Sequence, residues 1–153
     1  MVSSDDAPAL LWFRRGLRLH DNPALLHACD SAPYLLPFYI LDPEEVHPSR
    51  LGPLPARFLL EALEDLNASL TAKGSGLLVL RGKPADILPV LLHTHSPSVL
   101  CHELSLEPGE IQEVQQGVRV LAEKTKTRLF SPVSRHPSPG IVLDDPVIMD
   151  LRS

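Results

Sequence analysis

Apolar residues along the chain fall into two alternating kinds of segment. The first is a short run that stays apolar without polar alternation: ALLWF at 9–13, YLLPFYIL at 34–41, GLLVL at 76–80 and the apolar start of SVLCHEL at 99–101, with RLFSPV at 128–133 as a fifth. Runs of this kind suit strands of a parallel sheet covered by helices on both faces. The second kind repeats at helical spacing. Within residues 57–70, Phe58, Leu59, Ala62, Leu63, Leu66 and Leu70 recur three and four apart, while Glu61, Glu64 and Asp65 take the opposite face. This helix is predicted to stop before Lys73 and Gly74. Asn22 is a good N-cap and Pro23 fits the first helical position, so a helix is predicted through Ala24, Leu25, Leu26 and Ala28. Pro84 opens another through Ile87, Leu88, Leu91 and Leu92, which Pro89 is expected to kink or shorten. Residues 110–126 suggest a fourth, with Ile111, Val114, Val118 and Leu121 on one side.

Strand and helix alternate, which implies an open α/β domain with right-handed crossovers. Pro37 removes a ladder bond, so the paired part of the second strand is expected to begin near Phe38. From Ser134 onward, SRHPSPGIVLDDPVIMDLRS carries no clear period and reads as a loop or disordered extension. The organisation expected is a short arm at 1–8, one domain at 9–133 and a proline-rich tail at 134–153.

Composition narrows the classes. With 153 residues, 44% hydrophobic and 22% charged, the chain can bury a core, and wholesale disorder is excluded. Sixteen prolines against eight glycines mark heavy punctuation rather than a flexible linker. Fourteen basic and nineteen acidic residues give a net charge of −5, so global attraction for nucleic acid or anionic lipid is absent. No apolar run is long enough to span a membrane. The start, MVSSDDAP, has the features of neither a signal nor a transit peptide, so an intracellular protein, cytoplasmic or nuclear, is expected. Cys29 and Cys101 lie far apart and read as small buried hydrophobes in a reducing compartment.

In an open parallel sheet, ligands bind outside the carboxyl ends of the strands. The first such loop, RRGLRLHDN at 14–22, holds three arginines ahead of a helix N-terminus. It is either an anion or nucleotide-edge site, or a structural loop in which Arg14 or Arg18 pairs with Asp21 or Asp42. Asp42, Glu44 and Glu45 follow the second strand, as acid/base groups or as a solvated turn. His102 and Glu103 end the fourth strand, where a carboxylate can accept from the N–H donors of a heterocycle. His93 and His95 stand two apart and cannot share a helical face, so His93, His95 and His102 make a poor metal set. No phosphate-binding glycine loop and no nucleophile elbow is present. The residues alone describe a nucleotide-like binding module with no visible catalytic constellation and no metal site.

One stretch carries more. LLWFRRGLRLHDNPAL closely resembles the opening motif of the DNA photolyase and cryptochrome family, at Trp12, Phe13, Arg14, Leu17, Arg18, Asp21, Asn22, Pro23, Ala24 and Leu25. FYILDP at 38–43, GPLPARFLLEALEDLNASL at 52–70 and GLLVLRGKPADILPVL at 76–91 resemble the family's next strand, long helix and third strand with its turn. The Gly52-Pro53 opening and CHELSLE lean towards DASH-type and plant photolyase-like members, while Gly16 leans towards animal cryptochromes.

The resemblance covers residues 9 to about 125 and implies a three-layer Rossmann-like or flavodoxin-like sheet of five parallel strands in the order 3-2-1-4-5. It corresponds to the family's N-terminal α/β domain, the antenna side of a blue-light receptor or light-driven repair enzyme. The helical domain that holds FAD in full-length members is expected to be absent here, and with it repair by this chain alone. The implied cofactor is an antenna chromophore, either methenyltetrahydrofolate or a flavin or deazaflavin. Glu103 matches the strand-four carboxylate that holds the folate pterin in several members, and Arg14 and the loop to Arg18 border the crevice. With Asp42, the candidate chromophore-binding set is Arg14, Arg18, Asp42 and Glu103. Protein partners are expected through the face that packs on the helical domain in the family; no direct DNA binding is expected. The alternatives are a regulatory interaction module and a non-functional splice or gene-model fragment.

Overall fold

The computed structural model describes residues 6–14, 17–44, 46, 52–104, 110–132 and 147–149. In chain order the elements are β1 (Ala9–Phe13), α1 (Pro23–Ser31), β2 (Leu35–Leu41), α2 (Pro53–Ala72), β3 (Leu78–Arg81), α3 (Pro84–His95), β4 (Val99–His102), α4 (Glu110–Thr125), β5 (Arg128–Ser131) and β6 (Val147–Met149). The five parallel strands stand in the order β3-β2-β1-β4-β5 and make the expected Rossmann-like α/β sheet.

Alternation along each strand divides the core into two layers. On one face Ala9, Leu11, Phe13, Val99, Cys101 and Phe130 pack against Ala24 and Ala28 of α1 and Leu66 and Leu70 of α2. On the other face Leu10, Trp12, Phe38, Ile40, Leu100 and Leu129 meet Leu88, Leu91 and Leu92 of α3 and Val118 and Ala122 of α4. The small residues of α1 let it approach β1 and β4 closely. The stripe read for α2 is confirmed at Leu63, Leu66 and Leu70, all buried, whereas Phe58 is exposed.

Local chemistry sets the element ends. The Asn22 carboxamide oxygen accepts from the Leu25 N–H at 3.0 Å, and Pro23 follows as read from the sequence. Gly82 turns the chain from β3 into α3 at φ 149°, and a Cβ there would lie 2.9 Å from Ile87 Cδ1, so both backbone and packing require glycine.

Several expectations change. Pro37 is paired: β2 joins β1 from Leu35, with Pro37 opposite Leu11. It is tolerated because β3 joins β2 only from Phe38, so at Pro37 the strand has a neighbour on one side only. Pro89 does not shorten α3, which runs on to His95; in the second turn it forfeits a single bond, to the Ala85 carbonyl. Cys29 is exposed on α1, while Cys101 is buried with its thiol pushed up to about 12 by desolvation. Finally, Val147–Met149 is not loop but an antiparallel strand on the β5 edge, Phe130 opposite Ile148. Three residues are too few to show a period. The rest of the proline-rich tail lies outside the described residues.

Leu100 has no exposed surface and sits mid-strand between β1 and β5. Leu100→Ala is expected to lower unfolding free energy by about 3 kcal/mol, read from urea denaturation with an unchanged slope. A loss under about 1 kcal/mol would mean that the site relaxes around the cavity and that this core is softer than its burial implies.

Candidate functional site

Ahead of α1, residues 18–22 are held by their own carbonyls. Arg18 donates from Nε to the His20 carbonyl at 3.1 Å and from Nη2 to the Asp21 carbonyl at 3.0 Å. The Asn22 amide nitrogen returns a bond to the Arg18 carbonyl at 3.1 Å, and Asp21 takes the left-handed conformation at φ 47° that this tight return demands. Neither aspartate is Arg18's ion-pair partner. Its guanidinium instead lies 3.8 Å from Oε1 of Glu103, just past β4.

Glu103 is the unusual group. Its side chain is 10% exposed, and both carboxylate oxygens are buried without accepting a hydrogen bond. Buried carboxylates are normally satisfied, so this one is an open acceptor in a buried corner. Around it lie Leu11, Trp12, Phe13, Arg14, Asn22 and Ala24. The Arg14 guanidinium sits 4.8 Å above the centre of the Trp12 ring. The enclosed volume is about 10 Å³, room for a single water. The open carboxylate can accept from the N–H edge of a heterocycle, but these walls do not enclose one; a ligand would lie across the opening.

Trp12 connects this corner to a second polar element. Its ring is parallel to Phe38 at 6.3 Å and tilted over His102 at 5.4 Å. His102 is wholly buried, and its Nε2 lies 2.9 Å from the Ser131 hydroxyl across β4 and β5. Burial first, then the charge of Arg14, pushes the imidazole down to about 3, so it is neutral at physiological pH. Ser131 was not singled out from the sequence; extending the β4–β5 register by one residue beyond Cys101 and Phe130 brings it beside His102.

The structure thus brings Arg14, Arg18 and Glu103 together and leaves Asp42 apart. Asp42 Oδ1 accepts from the Glu44 N–H at 2.9 Å and lines a different cavity beside Lys83. Glu44 pairs with Lys83 at 2.9 Å, and that bond raises the lysine above its ordinary value. At Asp42 and Glu44 this turn is an ion-paired, hydrogen-bonded surface; Glu45 lies outside the described residues. His93 and His95 lie in the last turn of α3, away from His102 at the end of β4, and among the described residues no three metal-binding side chains cluster.

The family model for DNA photolyase matches residues 9–136. The chain belongs to the photolyase and cryptochrome family, as its N-terminal α/β domain. A (6-4) DNA photolyase of Arabidopsis thaliana is 39% identical over 135 residues, covering 82% of this chain and 24% of that protein. Cryptochrome-1 of Gallus gallus is 47% identical over 126 residues, covering 82% of this chain and 20% of the relative. A solved archaeal photolyase of Sulfolobus tokodaii, described with two FAD molecules, superposes with a TM-score of 0.75 at 21% identity, over 86% of this chain and 30% of its own; that likeness concerns the fold. This photolyase-family chain therefore spans about a quarter or less of the length of these curated relatives. Among its described residues no helix is long and apolar enough to cross a membrane.

His102 gives the domain a pH dependence. A histidine depressed on folding contributes stability that is present above its unfolded value of 6.5 and lost as pH falls towards its folded value of about 3. His27, stacked 3.9 Å from Phe130 and lowered by burial and then by Arg128, acts in the same direction. Stability is expected to fall below about pH 6 by on the order of 1.4 kcal/mol per pH unit for His102. Urea midpoints measured from neutral to mildly acid pH read the slope. A His102→Gln variant whose midpoint falls just as steeply would remove His102 as the cause.

Proposed function

We propose that this chain is the antenna-chromophore side of a photolyase or cryptochrome. Its corner of Arg14, Arg18 and Glu103 would hold one edge of a light-harvesting heterocycle. The observation that supports this most is Glu103, a buried carboxylate with both oxygens unfilled, beside a guanidinium already fixed by backbone carbonyls. A pterin or flavin edge offers the N–H donors that such a carboxylate lacks. Methenyltetrahydrofolate suits the site better than a deeply seated flavin, because the enclosed space is small and the ligand must lie across the mouth. When bound, such a chromophore supplies absorption and excitation transfer to FAD. The chain's residues orient it: Glu103 accepts from the ring edge, Arg18 balances the carboxylate, and Trp12 with Arg14 walls the corner.

The other wall is expected to come from the part of the family architecture that this chain does not span. The exposed apolar side chains Leu54 and Phe58, one turn apart on α2, favour a second reading in the same direction. They suit a face that docks on another protein surface, whether a helical photolyase domain or a regulatory partner. On its own the chain is expected to perform no light-driven repair. Dimer reversal above background by purified chain with added FAD would refute that.

Titration of the purified chain with methenyltetrahydrofolate, followed by absorbance, tests the chromophore reading. Saturable binding is expected, weakened about 10- to 100-fold by Glu103→Gln as a charge-assisted hydrogen bond is lost. Saturable binding that survives Glu103→Gln unchanged would place the ligand elsewhere. Absence of binding to the isolated chain, together with absence of binding once a family helical domain is supplied in trans, would end the antenna proposal.

A further inference from the structure

A larger cavity lies away from the strand-end corner, in the groove between α3 and α4. Its volume is about 470 Å³, within the range of small-molecule sites. Leu88, Val118 and Leu121 form an apolar floor, and Pro89 and Gly117 face it from the two helices. Those two residues are the notable part. Proline and glycine are the poorest residues for a helix interior, yet each stands inside its helix and both line this one groove. Gly117 keeps bulk out of it: a Cβ built there would meet nothing within 4 Å.

The charges around the groove are unequal in availability. Lys83 is tied to Glu44, and Asp42 is capped by the Glu44 N–H, so both are engaged in the β2 turn. Lys124, exposed on α4, makes no hydrogen bond or ion pair among the described residues. The groove thus combines an apolar trough with one available cation at its rim.

We propose that the α3–α4 groove binds a small amphipathic anion, its apolar body against Leu88, Val118 and Leu121 and its anionic group on Lys124. This site shares no lining residue with the Arg14 and Glu103 corner. A pair of fluorescent probes tests it on the full chain: anilinonaphthalene sulfonate, and the same skeleton without the charge, phenylnaphthylamine. The wild type is expected to bind one sulfonate probe per chain, saturably. Gly117→Leu fills the groove and is expected to abolish binding while the melting temperature holds or rises, because leucine is the better helix former. Lys124→Gln is expected to weaken the sulfonate about threefold, the scale of an exposed ion pair, and to leave the neutral probe unchanged. Glu103→Gln is expected to change neither. The proposal is overturned by unsaturable binding, by sulfonate binding that survives Gly117→Leu, by equal responses of the two probes to Lys124→Gln, or by loss of binding in Glu103→Gln.

Discussion

The whole domain depends on β1 being apolar on both sides. All five of its residues, Ala9 to Phe13, are buried, with Leu10 and Trp12 facing one layer of helices and Ala9, Leu11 and Phe13 facing the other. A strand of this kind cannot sit at an edge or face water on either side. It must be central, flanked by two parallel strands and covered above and below. The three-layer architecture follows, because each neighbour needs a crossover helix and the two faces need two helix layers. With the centre so apolar, polar groups are exiled to the strand ends, which is where Arg14, Arg18 and Glu103 are found.

That same constraint explains what could be read from the sequence. Continuous apolar runs gave away β1 and β4, and the Asn22-Pro23 pair gave the start of α1, because these signals are local. The errors lie where neighbours decide. Pro37 reads as a ladder breaker, yet pairs, because the adjacent strand starts one residue later. Cys29 reads as a buried hydrophobe, yet falls on the outer face of α1. Val147–Met149 has no readable period because it is made a strand by the β5 edge and not by its own pattern. In the site, Glu103 was legible from its position after β4. Ser131 was not, since its role arises only from lateral register, and Asp42 shares the strand-end location of the others but faces another cavity.

The two polar elements near Trp12 differ in a way that separates support from binding. His102 Nε2 and the Ser131 hydroxyl bond to one another inside the sheet while Nδ1 has no hydrogen-bond partner, and the imidazole is held neutral, so the pair ties β4 to β5 behind the ring without presenting charge. Arg18 likewise spends its donors on the carbonyls of His20 and Asp21, leaving only a long contact with Glu103. The guanidinium steadies the carboxylate electrostatically but does not fill its lone pairs. Among the described residues of the corner, Glu103 is therefore the acidic group that is both buried and still open to a donor, and preorganisation by its neighbours lowers the entropy lost when one arrives.

The strength of the centre and the exposure of the margin belong together. β1, β4 and the helices over them close a core with almost no solvent exposure, whereas β3, at one edge of the sheet, leaves Leu78 and Val79 exposed and the first turns of α2 present Leu54 and Phe58 to solvent. A parallel sheet ordinarily covers both faces of its strands, so partial cover at β3 is a departure from the economy seen elsewhere in the domain. The core is thus closed by the chain's own helices, while the margin formed by β3 and the first turns of α2 stays open to solvent.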